Sequence, residues 1–437
     1  MRVLVLGLGR AGKAAVRFLL KQGARVMGHD ADPERLKWAS LQRAGMRKCT
    51  DPGRCRADFA IVSPGIPPNA EVLRAVRRSS IPLVDELDFA SLFVPGKLVA
   101  VTGTNGKSTT AALCGAALEA AGLSVFTGGN LSPGEPLSAG LMKGRKDCYV
   151  VEVSSFQLER ARWLKPDVAM LLNVSPDHLN RHRTMARYAE CKYRLLDRQG
   201  PGDVAVLNAD DPVVIKAADR GRAARLFFST TRKVPGAYLG RGEMRFDGEA
   251  VMKPGQMALR GVHNVANALA VLCACRALGV KDAAFRRAMR TFKGLPHRLE
   301  TVRMLGGVEW VNSSMTTNPV AGASALAAFR RKVILITGGM EKGLPVEVFA
   351  DAIASRAKRA LLVGNSAAKL ARMLDRRGFV RYEKCETLGD AVARARALAR
   401  KGDTVLFAPA FASFDQFRDF ADRGEAFRRE VARLGQA

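Results

Sequence analysis

The chain has 437 residues, 48% hydrophobic and 25% charged. That is length enough for about three domains with cores of their own, and the balance excludes a single small module, a disordered chain and a collagen-like or disulfide-stapled scaffold. Lysine plus arginine number 70 against 41 aspartates and glutamates, a net charge of +29, so anionic partners are favoured, though charge does not choose among nucleotides, nucleic acid and an acidic surface.

The first ninety or so residues alternate short β-branched runs, Val3 to Leu6, Arg25 to Met27 and Phe59 to Val62, with helical segments. This is the rhythm of a parallel sheet and predicts an α/β domain over residues 1–93. The apolar run Val3 to Gly9 is followed at once by Arg10 and Lys13, and no uncharged stretch approaches a membrane span, so a soluble, untargeted chain is expected. Pro95-Gly96 marks a break, after which a strand Leu98 to Thr102, a Gly-rich loop and a helix from about Lys107 to Ala121 open a second domain, 94–295. Further strands fit Cys148 to Val153, Val168 to Val174 and Val204 to Asn208, with antiparallel strands in Gly236 to Met252 and a helix over Asn264 to Leu278. Gly294-Leu295-Pro296 breaks the pattern again, and strands at Lys332 to Thr337, Ala360 to Val363 and Thr404 to Ala408, separated by helices, predict a third α/β domain, 296–437. Aromatics are only 6%, and basic residues lie along Ala-rich stretches such as Asp390 to Arg400, a pattern of solvated helix faces more than of base-stacking platforms. The eight cysteines, at 49, 55, 114, 148, 191, 273, 275 and 385, form no C-x-x-C pair and lie mostly in apolar segments. They read as reduced core residues, which implies a cytosolic compartment.

Chemistry concentrates at a few strand ends. Gly7-Leu8-Gly9-Arg10-Ala11-Gly12 follows the first strand, with Asp30 eighteen residues beyond it. Backbone amides and a helix N-terminus there suit a pyrophosphate, against the plainer reading of a tight turn that needs small residues. Thr102-Gly103-Thr104-Asn105-Gly106-Lys107-Ser108-Thr109-Thr110 lies between a strand and a helix and has the mechanics of a P-loop. Amides wrap phosphates, Lys107 neutralises β/γ charge and Ser108 can ligate magnesium. Val101 stands where the common spacing has glycine, which makes the loop a variant.

Glu152-Val153-Ser154-Ser155-Phe156-Gln157 and Asn173-Val174-Ser175-Pro176-Asp177-His178 end two further strands. Glu152 is a natural magnesium ligand, and its apolar approach, Tyr149-Val150-Val151, favours a buried acid over an exposed strand-end carboxylate. His178 and His182 have a zinc spacing but no third ligand. Lys192 alone reads as a solvated helix residue. Asn264 and Asn267 lie three apart on one helix face and can grip one ligand, with helix capping by Asn264 as the alternative.

Taken together, GTNGKST, EVSSFQL, LNVSPDH, the Lys192 segment, GVHNVANALA, GLPHRLE and Ala408-Pro409-Ala410-Phe411-Ala412-Ser413-Phe414-Asp415-Gln416-Phe417 resemble the Mur ligase family, in family order across essentially the whole chain. Length and the Asp-Gln-Phe ending are most similar to members that join D-glutamate to UDP-N-acetylmuramoyl-L-alanine in peptidoglycan precursor synthesis. The resemblance implies three α/β domains: a Rossmann-like N-terminal one for the UDP-sugar, a central P-loop ATPase-type parallel sheet with an antiparallel addition, and a Rossmann-like C-terminal one that delivers the amino acid. It also implies that ATP phosphorylates the L-alanine carboxylate to an acyl phosphate, which the glutamate amine attacks.

By the same resemblance the catalytic residues are Lys107, Glu152, His178 and Lys192. Ser108 and Glu152 would hold one magnesium ion, with His178 and a carbamylated Lys192 supporting a second. Gly103, Thr104, Asn105, Gly106, Lys107, Ser108, Thr109, Asn264, Asn267 and Arg298 would bind ATP. The UDP-substrate would meet Gly7, Gly9, Arg10, Ala11, Gly12, Asp30, Ser63 and Asn130, and the incoming glutamate Thr317, Lys342, Ser413 and Phe420.

Relatives commonly carry Asp-Ser-Lys where this chain has Ser313-Ser314-Met315, which leaves the glutamate enantiomer and the hold on ATP open and gives Lys342 more of the carboxylate recognition. A folylpolyglutamate-type or other Mur-type ligase is the nearest rival. A nicotinamide-dependent oxidoreductase would leave the P-loop, Glu152 and His178 unexplained, and nucleic-acid binding would account for the charge alone. The expected partners are small molecules, with no nucleic acid and no membrane insertion, and the expected form is a cytoplasmic monomer.

Overall fold

The computed structural model of the protein describes residues 1–32, 39–131 and 134–435. Backbone contacts divide the chain into two compact units, residues 1–257 with 265–292, and residues 258–264 with 293–437. The first unit holds two sheets and the second holds one.

The first sheet comprises β1 (Arg2–Leu6), β2 (Arg25–His29), β3 (Arg47–Lys48), β4 (Phe59–Val62) and β5 (Leu83–Asp85), all parallel, in the order β3-β2-β1-β4-β5. Val3 and Val5 of β1 enter one hydrophobic layer with Leu19 and Val26, while Leu4 and Leu6 enter the layer on the other face with Val62 and Val76. A strand covered on both faces needs an unbroken apolar run, and Val3 to Leu6 supplies one.

In the second sheet the order is β14-β13-β12-β11-β10-β9-β6-β8-β7. Its strands are β6 (Lys97–Thr102), β7 (Val125–Gly129), β8 (Cys148–Glu152), β9 (Val168–Leu171), β10 (Val204–Asn208), β11 (Ala224–Ser229), β12 (Gly236–Gly240), β13 (Glu243–Phe246) and β14 (Glu249–Met252). The run from β7 to β12 is parallel, and β13 and β14 continue it antiparallel. The earliest strand, β6, lies between β8 and β9, so the chain leaves it in the crevice where strand order reverses, the place where open parallel sheets bind ligands. Asp88 joins the two sheets' surroundings by accepting hydrogen bonds from three successive amides, those of Arg162, Trp163 and Leu164, at 2.7–2.8 Å.

The third sheet runs β15-β16-β20-β17-β18-β19, with β15 (Glu300–Leu305), β16 (Val308–Asn312), β17 (Val333–Gly338), β18 (Ala357–Val363), β19 (Tyr382–Lys384) and β20 (Thr404–Phe407). Only β15 is antiparallel to its neighbour. The sequence pattern predicts three strands here and the structure has six. The missed hairpin β15–β16 turns on Gly306-Gly307, at φ +58° and +74°, a two-residue turn of the kind that left-handed residues permit.

Two expectations are corrected. Cys49 and Cys55 form a disulfide, whereas Cys114, Cys148, Cys191, Cys273, Cys275 and Cys385 are free thiols. The short loop between the pair brings the sulfurs together locally, so the cysteines do not by themselves indicate a reducing compartment. Lys192 is not a solvated helix residue but is 1% exposed. Among the described residues no helix is long and apolar enough to cross a membrane.

The glycine turn after β1 is dictated by packing. Gly7 has φ +85°, and a Cβ at Gly12 would overlap the Gly7 carbonyl oxygen. Gly12→Ala is therefore expected to cost about 1–3 kcal/mol through backbone displacement. Chemical denaturation measures it, and an unchanged midpoint would contradict this packing.

Candidate active site

Thr102 ends β6 and Lys107 begins the helix Lys107–Ala120, leaving four residues to turn the chain. Gly106 takes φ +83°, and a Cβ there would lie 2.5 Å from Asn267 Oδ1, so the turn needs glycine both for its handedness and for the approach of that side chain. Asn173, just beyond β9, clasps the loop from the other side. Its Oδ1 accepts from the amides of Thr104 and Asn105 at 3.1 and 2.8 Å, and its Nδ2 donates to Asn105 O at 3.0 Å. Thr104 Oγ1 donates to Ser175 O at 3.1 Å and lies 3.2 Å from Tyr188 OH. Asn173 and Tyr188 thus shape the loop; the sequence places the Asn173 segment at a chemistry-bearing strand end but gives neither residue a role of its own. The signal for Asn173 was its position directly after an apolar strand in LNVSPDH.

Glu152, at the end of β8, is 3% exposed. Its Oε2 accepts from Ser108 Oγ at 2.6 Å and its Oε1 from Asn130 Nδ2 at 2.8 Å. The carboxylate therefore meets the P-loop serine directly, and Asn130 fixes its orientation. Lys107 Nζ donates to Thr104 O at 2.9 Å.

Lys192, on the helix Met185–Tyr193, donates from Nζ to Gly103 O at 2.7 Å and lies 4.5 Å from the centre of the Tyr188 ring. Burial, then the nearby Lys107 charge, holds its ammonium well below the usual lysine range. His178 caps the short helix Leu179–His182 at φ +52°, and its ring packs edge-on against Phe156 at 4.8 Å and lies 6.5 Å from Tyr188. Tyr188 is thus the aromatic wall that His178 and Lys192 share. His182 is buried, with Nε2 3.0 Å from Ser155 Oγ, and no group of three or more His, Cys, Asp or Glu suited to a metal occurs among the described residues.

Hard oxygen donors at Ser108 and Glu152 beside a phosphate-type loop fit magnesium, which takes few protein ligands and fills its sphere with water and phosphate oxygens. Lys192, buried and held toward its neutral amine, has the form of lysine that can take up a carboxyl group.

At the first sheet, Gly7, Gly9, Arg10, Ala11, Gly12, Asp30 and Ser63 gather at the ends of β1, β2 and β4. Asp30 accepts from the amides of Leu8 at 2.5 Å and Asp32 at 3.0 Å, bracing the turn. Arg10 reaches across to Leu131 O and Gly134 O at 3.1 and 3.0 Å. A cavity of about 750 Å³ opens nearby, lined by Pro67, Asn69, Phe156, Arg181 and His182 among others.

Asn264 and Asn267 share the helix Val262–Ala277, which starts two residues earlier than the sequence suggests, so Asn264 is not its cap. Asn264 donates to Arg260 O at 2.7 Å. In the second unit Arg298 Nη2 lies 2.9 Å from Met315 Sδ. Burial, then the Arg298 charge, pushes the His263 imidazole down to about 4. Ser313 turns its hydroxyl to Thr316 Oγ1 at 2.9 Å and to the Leu299 amide at 3.3 Å. Thr317 and Lys342 line one small cavity with Ala410 and Phe411. Ser413 is buried, and Phe420 opens the helix Phe420–Arg433. All four expected amino-acid contacts therefore lie on segments that follow β16, β17 and β20.

Three family descriptions match the chain in order: the MurD-like N-terminal domain of Mur ligases over residues 1–85, the Mur ligase middle domain over 101–275 and the Mur ligase glutamate ligase domain over 297–411. The UDP-N-acetylmuramoylalanine--D-glutamate ligase of Pelotomaculum thermopropionicum is 40% identical over 448 residues, covering 99% of this chain and 98% of the relative. The protein of the same name from Myxococcus xanthus is 41% identical over 456 residues, with 99% and 98% covered. Among solved structures, UDP-N-acetylmuramate-alanine ligase from Thermotoga maritima superposes with a TM-score of 0.65 at 20% identity, covering 100% of this chain and 99% of that one. MurF from Acinetobacter baumannii gives 0.61 at 17%, with 92% and 88% covered. These structural likenesses concern the fold. With its P-loop clasped between β6 and β9 and all three family domains matched in order, the chain belongs to the Mur ligase family.

Proposed function

We propose that this protein is the ATP-dependent ligase that forms an amide between the carboxyl group of UDP-N-acetylmuramoyl-L-alanine and the amine of D-glutamate, in the cytoplasm, for peptidoglycan precursor synthesis. Full-length relatives at 40% and 41% identity carry that name. The observation on which the chemistry rests is the convergence of the P-loop, Glu152 and Lys192 on one strand-end crevice.

In this reading the working domains are residues 1–93, 94–295 and 296–437. The loop Gly103–Thr109 wraps the ATP phosphates with its amides, and Lys107 exchanges its bond to Thr104 O for phosphate oxygens as negative charge gathers. Asn264, Asn267 and Arg298 hold the nucleotide. Ser108 and Glu152 would hold one magnesium ion, and His178 with a carbamylated Lys192 would support a second. Bound there, magnesium screens two anionic reactants from each other and polarises the γ-phosphate. Asn130 keeps Glu152 aimed at Ser108 and meets the UDP-substrate, whose nucleotide end rests on the turn Gly7–Gly12 with Asp30 and Ser63.

The alanyl carboxylate attacks the γ-phosphorus in line and ADP leaves. The amine of glutamate, held by Thr317, Lys342, Ser413 and Phe420, attacks the acyl phosphate carbon, and the tetrahedral intermediate collapses to amide and phosphate. Ser313 and Met315 supply neither acid nor base, so recognition of the glutamate carboxylates falls more heavily on Lys342.

The decisive assay offers UDP-N-acetylmuramoyl-L-alanine and ATP with each glutamate enantiomer and follows phosphate release. The D-form is expected to have the higher kcat/KM, and preference for L-glutamate or another amino acid would overturn the assignment. Lys107→Ala is expected to lower kcat/KM by at least ~1,000-fold, since no other side chain of the loop offers a mobile cation; near-normal turnover would remove the P-loop from the mechanism. Lys192→Ala should retain about 1% of activity or less, and acetate should restore part of it by standing in for the carbamate. A fully active variant would show that Lys192 carries no such group.

A further inference from the structure

Three segments far apart in the sequence bring arginines to one cavity of about 470 Å³ beside the start of β5. Arg77 comes from the last turn of the helix Glu71–Arg78, Arg160 and Arg162 follow the short helix Ser155–Leu158, and Arg194 caps the C-terminus of the helix Met185–Tyr193. Arg160 is half-buried and the other three are exposed. Ile81 and Leu83 supply an apolar wall, and the lining contains one acid, Glu159, and no aromatic ring. None of the residues expected to hold ATP or the UDP-substrate lines this cavity.

A helix C-terminus favours a cation, which accounts for Arg77 and Arg194 one at a time. It does not account for Arg160, whose Nη1 is buried and has no hydrogen-bond partner among the described residues. A buried charged donor left without an acceptor costs more than an ordinary hydrogen bond contributes. Burial, then the Arg181 charge, holds Arg160 below the usual arginine range, and Arg77 adds to the fall while Glu159 and Asp85 oppose it. Of those two acids, Glu159 is paired with Arg181, its Oε2 accepting from Nη2 at 2.6 Å and Nε at 3.2 Å. Its carbonyl accepts from Arg194 Nη1 at 2.6 Å. Burial pushes Asp85 up to about 8, which leaves it largely the neutral acid at neutral pH. The acceptors that Arg160 lacks are therefore ones that an anion in the cavity would bring.

We propose that this cavity is an anion site for a compact polyphosphate of the size of inorganic pyrophosphate, with Arg160 as its floor and Arg77, Arg162 and Arg194 as its rim. Forked guanidinium donors match phosphate oxygens, and four of them suit an anion with more than one phosphate group. A nucleotide is the poorer fit, because the lining offers no ring to stack on its base. The site is separate from the P-loop and does not rest on the reading of the substrates.

The test is calorimetric titration of the full chain with inorganic pyrophosphate in magnesium-free buffer, the P-loop being filled beforehand with a non-hydrolysable ATP analogue. One site with a Kd of about 10–100 µM is expected. Arg160→Met and Arg77→Met should each weaken it at least ~10-fold, and orthophosphate should bind at least ~10-fold more weakly than pyrophosphate. Each variant is checked by thermal melting. Arg77 is exposed, so Arg77→Met decides should Arg160→Met fail to fold. Absence of saturable binding to wild type, wild-type affinity in the folded variants, or equal affinity for orthophosphate overturns the site. Binding that Lys107→Ala abolishes overturns it as well, since the anion would then sit on the P-loop.

Discussion

The clasp of Asn173 on the P-loop is the contact from which the rest of the site is built. A loop that must present its amides to phosphate cannot satisfy them within itself, and four residues between a strand and a helix have little to hold them. The side-chain amide of Asn173 accepts from the amides of Thr104 and Asn105 and returns a bond to Asn105 O, so the loop is fixed before any ligand arrives. The strand order makes this possible. Because β9 is the neighbour of β6, the residue following β9 emerges beside the loop that follows β6. On the other flank β8 brings Glu152 to Ser108. Preorganisation of this kind is what electrostatic catalysis requires, since groups already in place need not reorganise as charge shifts.

Around that loop Lys107 and Lys192 stand beside the acids Glu152 and Asp177. Lys107 and Lys192 are close enough for one to depress the other's protonation, and the Lys192 hydrogen bond goes to a carbonyl rather than a carboxylate. The second unit repeats the arrangement with Arg423, whose acceptors are also neutral. The overall charge of +29 has the sign that favours anionic partners.

Ser313 and Met315 carry neither acid nor base, and both are held locally. The Ser313 hydroxyl joins Thr316 and the Leu299 amide, and the Met315 sulfur receives Arg298. The turn after β16 stays hydrogen-bonded, and Ser314 remains the hinge between Arg423 and Phe420.

The sequence by itself determined whatever depends on neighbours along the chain. The apolar runs of β1, β6 and β10, the strand-loop-helix order of GTNGKST and the placing of Glu152 after Tyr149-Val150-Val151 are local patterns, and each is legible because periodicity and turn chemistry act over a few residues. The Gly306-Gly307 turn leaves a trace of the same local kind, a pair of adjacent glycines. Tertiary structure alone decided what depends on distant partners. Lys192 has the sequence context of a surface helix and becomes buried because its helix packs against the loop that holds Gly103. Asn130 holds Glu152 at a separation of 22 positions along the chain, and Arg423 holds Ser314 at 109. Such contacts leave no periodic trace, because the free energy that selects them comes from burial and hydrogen bonding between segments that meet only after the sheets have formed.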